Sequence, residues 1–348
     1  MKIAVLRTDF KHHGDNSGYK QILKFLKIWK IFGLDQNKTA AHEQRILQKY
    51  LWLYEFELWK YRTEIDILFV MYAEEFYRFS WRFLRTAKIV ATFHMPPELL
   101  AKELFYGNQR GRMGQITHYM NKKRFKRLDA AIVTNINQKE ILKKVMDEEK
   151  IHIIPLGVHI DKMKEFIHNQ KELEYNKLNS TVITTGDWLR DWDFYFEIVK
   201  AMPDVNFVLV NRKLEDKYRS RLNDFPNITF MENITDRDLF ICFTQAKVQF
   251  LPVQSIAGSN SMLQGLALGC PLVLTGIDAS QFHGNEGVIE LYETKSIESA
   301  IERLRHFIAL DAAESIITKE GCFKYANDHS WESIALQTQQ VFNLVYDS

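Results

Sequence analysis

The 348-residue chain is 46% hydrophobic and 26% charged, a globular balance with length for two ordinary domains. No uncharged apolar run reaches membrane-spanning length, and MKIAVLRTDF opens a strand without a signal-peptide core, so a cytoplasmic protein is expected. The net charge of +2 hides an asymmetry, because residues 1–150 hold 28 Lys+Arg against 17 Asp+Glu and residues 151–348 hold 18 against 27.

Such a basic half joined to an acidic half implies two domains facing different partners. Cys242, Cys270 and Cys322 are odd in number, widely spaced and set in apolar sequence, as reduced structural thiols are. In that compartment the sequons at Asn179 and Asn227 go unused.

Taken in order, Lys2–Arg7 reads as a strand and His12–Gly18 as a polar loop opening a helix. That helix is expected over Tyr19–Phe32, with Ile22, Leu23, Leu26, Trp29 and Phe32 on one side and Lys20, Lys24, Lys27 and Lys30 on the other. It packs on a sheet or lies on an anionic membrane; the pattern serves both. A long aromatic-rich helix is expected over Ala40–Arg62. Asp66–Met71 and Lys88–Phe93 read as buried strands, the second ending in the loop His94-Met95-Pro96-Pro97. The basic segment 110–127 precedes strand Asp129–Thr134, helix Gln138–Met146 and strand Ile151–Ile154. This β/α alternation implies a parallel, doubly wound sheet.

Past Lys162–Asn179 a second alternation begins. It runs through strand Thr181–Thr185, helix Phe194–Met202, strand Val205–Val210, helix Leu214–Leu222, strand Ile228–Phe230 and helix Asp236–Gln245. Strand Val248–Leu251 follows, then a Ser/Gly/Asn loop and a helix capped by Asn260 or Ser261, with Gly269 at its end and Pro271–Thr275 opening another strand. Helices Ser296–Ala309 and Ala312–Asn327 precede a last helix to Tyr346. The domains are therefore read as 1–160, 161–326 and a C-terminal segment 327–348.

The motifs that are missing narrow the chemistry. There is no phosphate-loop GxxxxGK[ST], no GxGxxG, no nucleophile elbow and no zinc-ligand spacing. The basic run at 110–127 lacks an interleaved aromatic platform, so no nucleic acid partner is expected. What remains are loops at strand carboxyl ends, where ligands of such sheets bind. The loop feeding the helix at Ser259–Leu263 is a natural anion site, since first-turn amides lack partners and the dipole favours negative charge. His94, held between a buried strand and two prolines, either meets substrate hydroxyls or packs at the base of its loop.

In that order GDNSGY, ATFHMPPE, AAIVTNINQKEIL, IHIIPLGVHIDKM, TVITTGDWLRDWDFYFEIVKAM, FLPVQSIAGSNSMLQGLALGCPLVLT and FKYANDHSWESIALQTQQVF occur along the chain. The set resembles the GT-B fold, retaining, nucleotide-sugar glycosyltransferases of the group 1, family 4 type, over nearly the whole length. The resemblance implies an α/β architecture of two Rossmann-like doubly wound domains facing across a cleft, with the C-terminal helix crossing back to the first. It implies transfer of a sugar from a nucleotide-sugar donor to a glycan or lipid-linked acceptor in cell-surface polysaccharide or glycolipid biosynthesis. No metal and no cofactor beyond the donor substrate is implied, and the basic N-domain is the side expected at the inner membrane face.

On the same grounds His94 is the expected catalytic contact. The donor is expected at Gly186, Arg190, Arg212 and the helix start Ser259, Asn260, Ser261, Met262, Leu263 and Gln264, with Gly18 and Asn233 in further strand-end loops. The chain departs from the family pattern at four places. Asp187 and Trp192 stand where an Arg and a Lys meet the diphosphate, and Ile256 and Gln264 stand where the acid pair belongs. Each charge-assisted hydrogen bond contributes about 1.5–3 kcal/mol, so Arg190 and Arg212 are the expected substitutes. The other reading is a catalytically degenerate glycan-binding or partner subunit in which Trp188 and Trp192 stack on sugar rings.

Overall fold

The computed structural model describes residues 1–9, 18–35, 53–74, 77–106, 112–169, 181–285 and 287–348. It divides into two units, Met1–Leu156 with Trp331–Ser348, and Gly157–Ser330. The loop residues His12 and His13, the first part of the expected helix Ala40–Arg62, and 170–180 of the connection lie outside the described residues.

The first unit is built on a six-stranded parallel sheet of order β2-β1-β3-β4-β5-β6. Its strands are β1 (Ile3–Asp9), β2 (Lys30–Asp35), β3 (Ile67–Val70), β4 (Lys88–Thr92), β5 (Ala130–Val133) and β6 (Ile151–Ile153). Helices α1 (Leu53–Lys60), α2 (Arg112–Lys126) and α3 (Ile136–Leu142) belong to the same unit. The central strands are apolar throughout because both faces are covered. Ala4, Leu6, Leu68 and Val70 enter one core, while Ile3, Val5, Ile67 and Phe69 enter the other. The last helix of the chain, α10 (Trp331–Asp347), supplies that second core with Trp331, Ile334, Val341 and Phe342.

The helix expected over Tyr19–Phe32 does not form. Tyr19–Lys24 is a six-residue 3-10 helix, and Lys30–Asp35 is the edge strand β2, parallel to β1. Exposed Ile31 beside buried Phe32 has the period of a strand. Gly33 decides the matter. It sits opposite Arg7 at a φ of 130°, where a Cβ would lie 1.7 Å from the Arg7 carbonyl oxygen. The sheet edge thus claims a segment whose lysine spacing also fits a helix, and the amphipathic lipid-facing helix is lost with it. The basic segment near 110–127 is largely helix α2, and it is not wholly a solvated face. Arg124 is 4% exposed and pairs with Glu103 at 3.8 Å, and burial lowers its guanidinium to about 10.

The second unit repeats the plan with order β12-β11-β10-β7-β8-β9. It runs α4 (Ile160–Asn169), β7 (Thr181–Thr185), α5 (Trp192–Ala201), β8 (Asn206–Asn211), β9 (Ile228–Glu232), α6 (Asp236–Gln245), β10 (Val248–Leu251), α7 (Asn260–Ala267), β11 (Leu272–Gly276), β12 (Ile289–Glu293), α8 (Ile297–Ala309) and α9 (Ala312–Asp328). The helix expected over Leu214–Leu222 is two short pieces, Asp216–Arg219 and Ser220–Asp224. Strand β12 has no counterpart in the sequence reading. One face of the sheet carries an aromatic core in which Phe194 stacks on Tyr292 at 5.4 Å and Tyr195 on Phe250 at 6.4 Å.

Buried His283 lies 3.3 Å from the Tyr325 hydroxyl, and burial, aided by His329, drives its imidazole down to about 4. The native protein keeps this ring neutral while the unfolded chain takes a proton near 6.5. The stabilisation is complete above pH 6.5 and is lost as pH falls toward 4, a change of about 3 kcal/mol. Urea midpoints from pH 7 to 4.5 should fall less steeply in His283→Gln than in the wild type; parallel curves would count against this origin.

Candidate functional site

In a doubly wound sheet the ligand crevice opens where successive strands depart in opposite directions, outside their carboxyl ends. In the second unit that point lies between neighbours β7 and β10, since β8 and β9 extend one way and β11 and β12 the other. The loops following these two strands are stitched together. Gln254 donates its amide to the Leu189 carbonyl at 2.9 Å, and Asp191 donates its own to Pro252 at 2.9 Å. Arg190 and Val253 form a β-bridge. Beneath them Thr275 Oγ1 accepts from the Val253 amide at 2.7 Å and lies 2.7 Å from the Tyr292 hydroxyl.

Arg190 is the cation at this point. Its Nε donates to the Thr185 carbonyl at 3.0 Å and its Nη1 to the Trp188 carbonyl at 3.2 Å. The guanidinium lies over Gly186, whose φ is 87° and whose Cβ, were there one, would come within 2.8 Å of Nη2. Burial lowers Arg190 to about 10, Asp187 opposing the shift, so the group stays cationic at neutral pH. Arg212 is engaged differently. Its backbone amide donates to Asp187 Oδ1 at 3.1 Å and its Nε lies 4.0 Å from Oδ2. Buried Asn211 ties the two loops, donating to the Gly186 carbonyl at 3.5 Å.

The acidic side chains near the loop are each matched by a cation. Asp187 faces Arg212, Asp191 faces Lys295 at 2.5 Å, and Asp193 faces Arg221 at 2.6 Å. Asp191 also caps α5 by accepting from the Phe194 amide at 3.2 Å. The repulsion that three carboxylates would exert on an anion is thereby reduced.

Helix α7 begins one residue earlier than expected, with Ser259 as its cap instead of Asn260 or Ser261. Ser259 Oγ accepts from the Met262 amide at 3.3 Å, and the Ser259 carbonyl accepts from Leu263 at 3.3 Å. The Met262 and Leu263 amides are therefore committed within the helix. The amides of Asn260 and Ser261, the first two of the helix, are those its geometry leaves outward. The side chains of Met262, Leu263 and Gln264 are buried, as is Ile256. Asn233 adopts φ 54° after β9, the outer strand, two strands from β7, so the fold does not bring it to the switch point. Trp188 is exposed, but Trp192 is 5% exposed and packs edge-on against Tyr195, which removes it as a stacking platform.

In the first unit the corresponding strand-end loops hold His94. Its Nε2 lies 3.1 Å from Thr92 Oγ1, and its ring sits 4.5 Å from Tyr19 and 4.6 Å from Tyr72. The Glu74 carboxylate accepts from the backbone amides of His94 at 2.5 Å and Met95 at 2.8 Å, and Gln138 Nε2 donates to the Met95 carbonyl at 2.6 Å. Gly18, at φ 86°, leads into the turn that delivers Tyr19 to this ring. Sequence reasoning found His94 but missed Glu74, although its place just past β3 is the same signal. Lys295 was also missed, and no local pattern points to it.

Among the described residues no group of three or more His, Cys, Asp or Glu is placed to hold a metal ion, and no helix is long and apolar enough to cross a membrane. A cavity of about 290 Å³ lined by Ile160, Lys164, Ile167, Ala267 and Phe323 lies at the far end of α7 from the Ser259 cap.

The profile of the family described as Glycosyltransferase Family 4 matches residues 38–162. No curated protein matches the sequence. Among solved structures, sucrose-phosphate synthase from Thermosynechococcus elongatus is similar at 16% identity and TM-score 0.72, with 99% of each chain covered. Anabaena HepE, solved with UDP, is similar at 13% and 0.72, covering 99% of this chain and 100% of that one. TarM is similar at 14% and 0.59 over 80% of this chain, which spans about half of TarM, 54% of its length. At these identities the structures speak for the fold alone, and the family match is confined to residues 38–162. The chain has the GT-B fold, and its residues 38–162 match the Glycosyltransferase Family 4 model.

Proposed function

We propose that the protein transfers a sugar from a nucleotide-sugar donor to a glycan or lipid-linked acceptor, with retention of configuration and without a bound metal or other cofactor. The observation that carries the donor half is Arg190, a cation clamped over Gly186 where β7 and β10 diverge. When the nucleoside diphosphate leaves, negative charge grows on its phosphate oxygens. A fixed guanidinium and a helix amino terminus stabilise that charge without rearranging. HepE, with UDP in its structure, supports this class of donor. In this reading Arg190 and the Asn260 and Ser261 amides hold the diphosphate, Arg212 exchanges Asp187 for it, and His94 contacts the transferred sugar. Titration calorimetry with a panel of nucleoside diphosphates tests the donor half; no binding to any of them would overturn it.

The first unit supports the proposed acceptor and setting. Exposed Phe25 and Trp29 just before β2 and exposed Ile31 in it lie among Lys24, Lys27 and Lys30, and exposed Phe56 and Trp59 lie on α1 with Lys60. Basic and aromatic side chains together suit an anionic lipid surface. We therefore place the protein in cell-surface polysaccharide or glycolipid synthesis, in the cytoplasm at the inner membrane face. Co-sedimentation with vesicles should rise with phosphatidylglycerol content and fall with salt; equal recovery with neutral vesicles would remove the membrane half. Exposed Trp188 keeps a second reading in view, a sugar-binding subunit without turnover. Donor hydrolysis by the isolated protein separates the two.

A further inference from the structure

The middle of β10 carries a residue that its position does not explain. β10 lies between β11 and β7 near the centre of an all-parallel sheet, where both faces are covered and apolar side chains are the rule. Val248 and Phe250 point into the aromatic core. Gln249 points to the other face, beneath α7, and is 0% exposed. Its Nε2 donates to the Cys270 carbonyl at 2.9 Å and to the Met262 carbonyl at 3.4 Å. Both partners can only accept, so the nitrogen must face them, and Oε1 is left buried without a partner.

The helix above is shaped to this amide. A Cβ on Gly265 would lie 2.3 Å from both Cδ and Nε2 of Gln249 and 2.5 Å from Oε1. Glycine weakens a helix interior, and a half-satisfied amide weakens a core. Each unfavourable choice makes the other possible. Together they let α7 settle onto the strand, and one side chain grips a carbonyl in the helix's first turn and one just past its end.

We propose that Gln249 and Gly265 are a matched positioning pair that fixes the height of α7 above the sheet, and so the placement of the Asn260 and Ser261 amides against Arg190. The consequence for ligand rests on the donor-site reading above, while the structural consequence does not. Neither residue touches the ligand. They act through the helix that does.

The experiment pairs hydrogen exchange with binding of uridine diphosphate in Gly265→Ala, Gln249→Val and the double variant. Gly265→Ala drives a methyl into the amide, so exchange of the hydrogen-bonded Met262 and Leu263 amides should speed up at least tenfold and affinity should fall at least tenfold. Exchange in β8 and β9 should stay at wild-type rates, which separates local displacement from general loosening. Gln249→Val removes both bonds without a clash and should speed the same amides at least threefold, a reading that stands even if Gly265→Ala does not fold. In the double variant valine makes room for the alanine methyl, and both readouts should return to within threefold of wild type. Wild-type exchange in Gly265→Ala, or no recovery in the double variant, overturns the pair. If the wild type does not bind uridine diphosphate, the donor reading fails on that result, and the exchange data still decide the pair.

Discussion

Donor hydrolysis by His94→Ala is expected to fall about 10²- to 10³-fold, the usual cost of removing one preorganised donor from a reacting centre. Nucleotide affinity should stay within about threefold, because Arg190 and the α7 amides belong to the other unit. The expectation rests on how firmly the ring is held. Thr92 Oγ1 fixes Nε2 at 3.1 Å, Tyr19 and Tyr72 flank the ring, and Glu74 and Gln138 hold the backbone on either side. So many supports for one half-buried imidazole make sense if its orientation matters to a substrate. His94→Gln keeps a polar group of similar reach and should recover part of the lost rate. A ring that merely packs would behave otherwise: His94→Ala would then lower the melting temperature and leave turnover intact, which would end the catalytic assignment.

How much of this was legible beforehand depends on where the information sits. Strands β7 and β10 and helix α6 match their expected limits because an apolar run or a capped periodic segment encodes them locally. Tyr19–Asp35 misled because its lysine spacing is helical, while only the register of Gly33 against Arg7 shows that Lys30–Asp35 is a strand. Strand β12 escaped notice because Ile289–Glu293 is a short edge element of alternating polarity, which little distinguishes from a loop. At the site, the rule that ligands gather at strand carboxyl ends found the loops and Arg190. It could not find what supports them. Asp191 and Lys295 are 104 residues apart in sequence, and the space Gly265 leaves for Gln249 becomes visible only when strand and helix are superposed. The cap of α7 shows the finer limit. Ser259, Asn260 and Ser261 are all acceptable caps by composition, yet the choice decides which amides face outward.

Arg190→Met should weaken binding of a nucleoside diphosphate about 10- to 100-fold, the equivalent of one charge-assisted hydrogen bond of about 1.5–3 kcal/mol. The loss should shrink as salt rises, since part of it is the charge on a partly desolvated cation. Arg212→Met is the informative comparison. Its guanidinium is exposed and lies beside Asp187, so removing it also removes the neutralising partner of a carboxylate that then faces the anion. If Arg212 serves only Asp187, the double variant Arg212→Met with Asp187→Asn should bind as the wild type does. If Arg212 swings to the phosphates, the double variant should stay weaker by about the same factor as Arg190→Met. Arg190→Lys sharpens the point further. A lysine keeps the charge but not the planar fork that bonds the Thr185 and Trp188 carbonyls, so it should recover the salt-dependent part of the affinity and not the rest. Wild-type affinity in Arg190→Met would mean that the helix amides alone hold the diphosphate, and that the guanidinium over Gly186 is a brace for the loop.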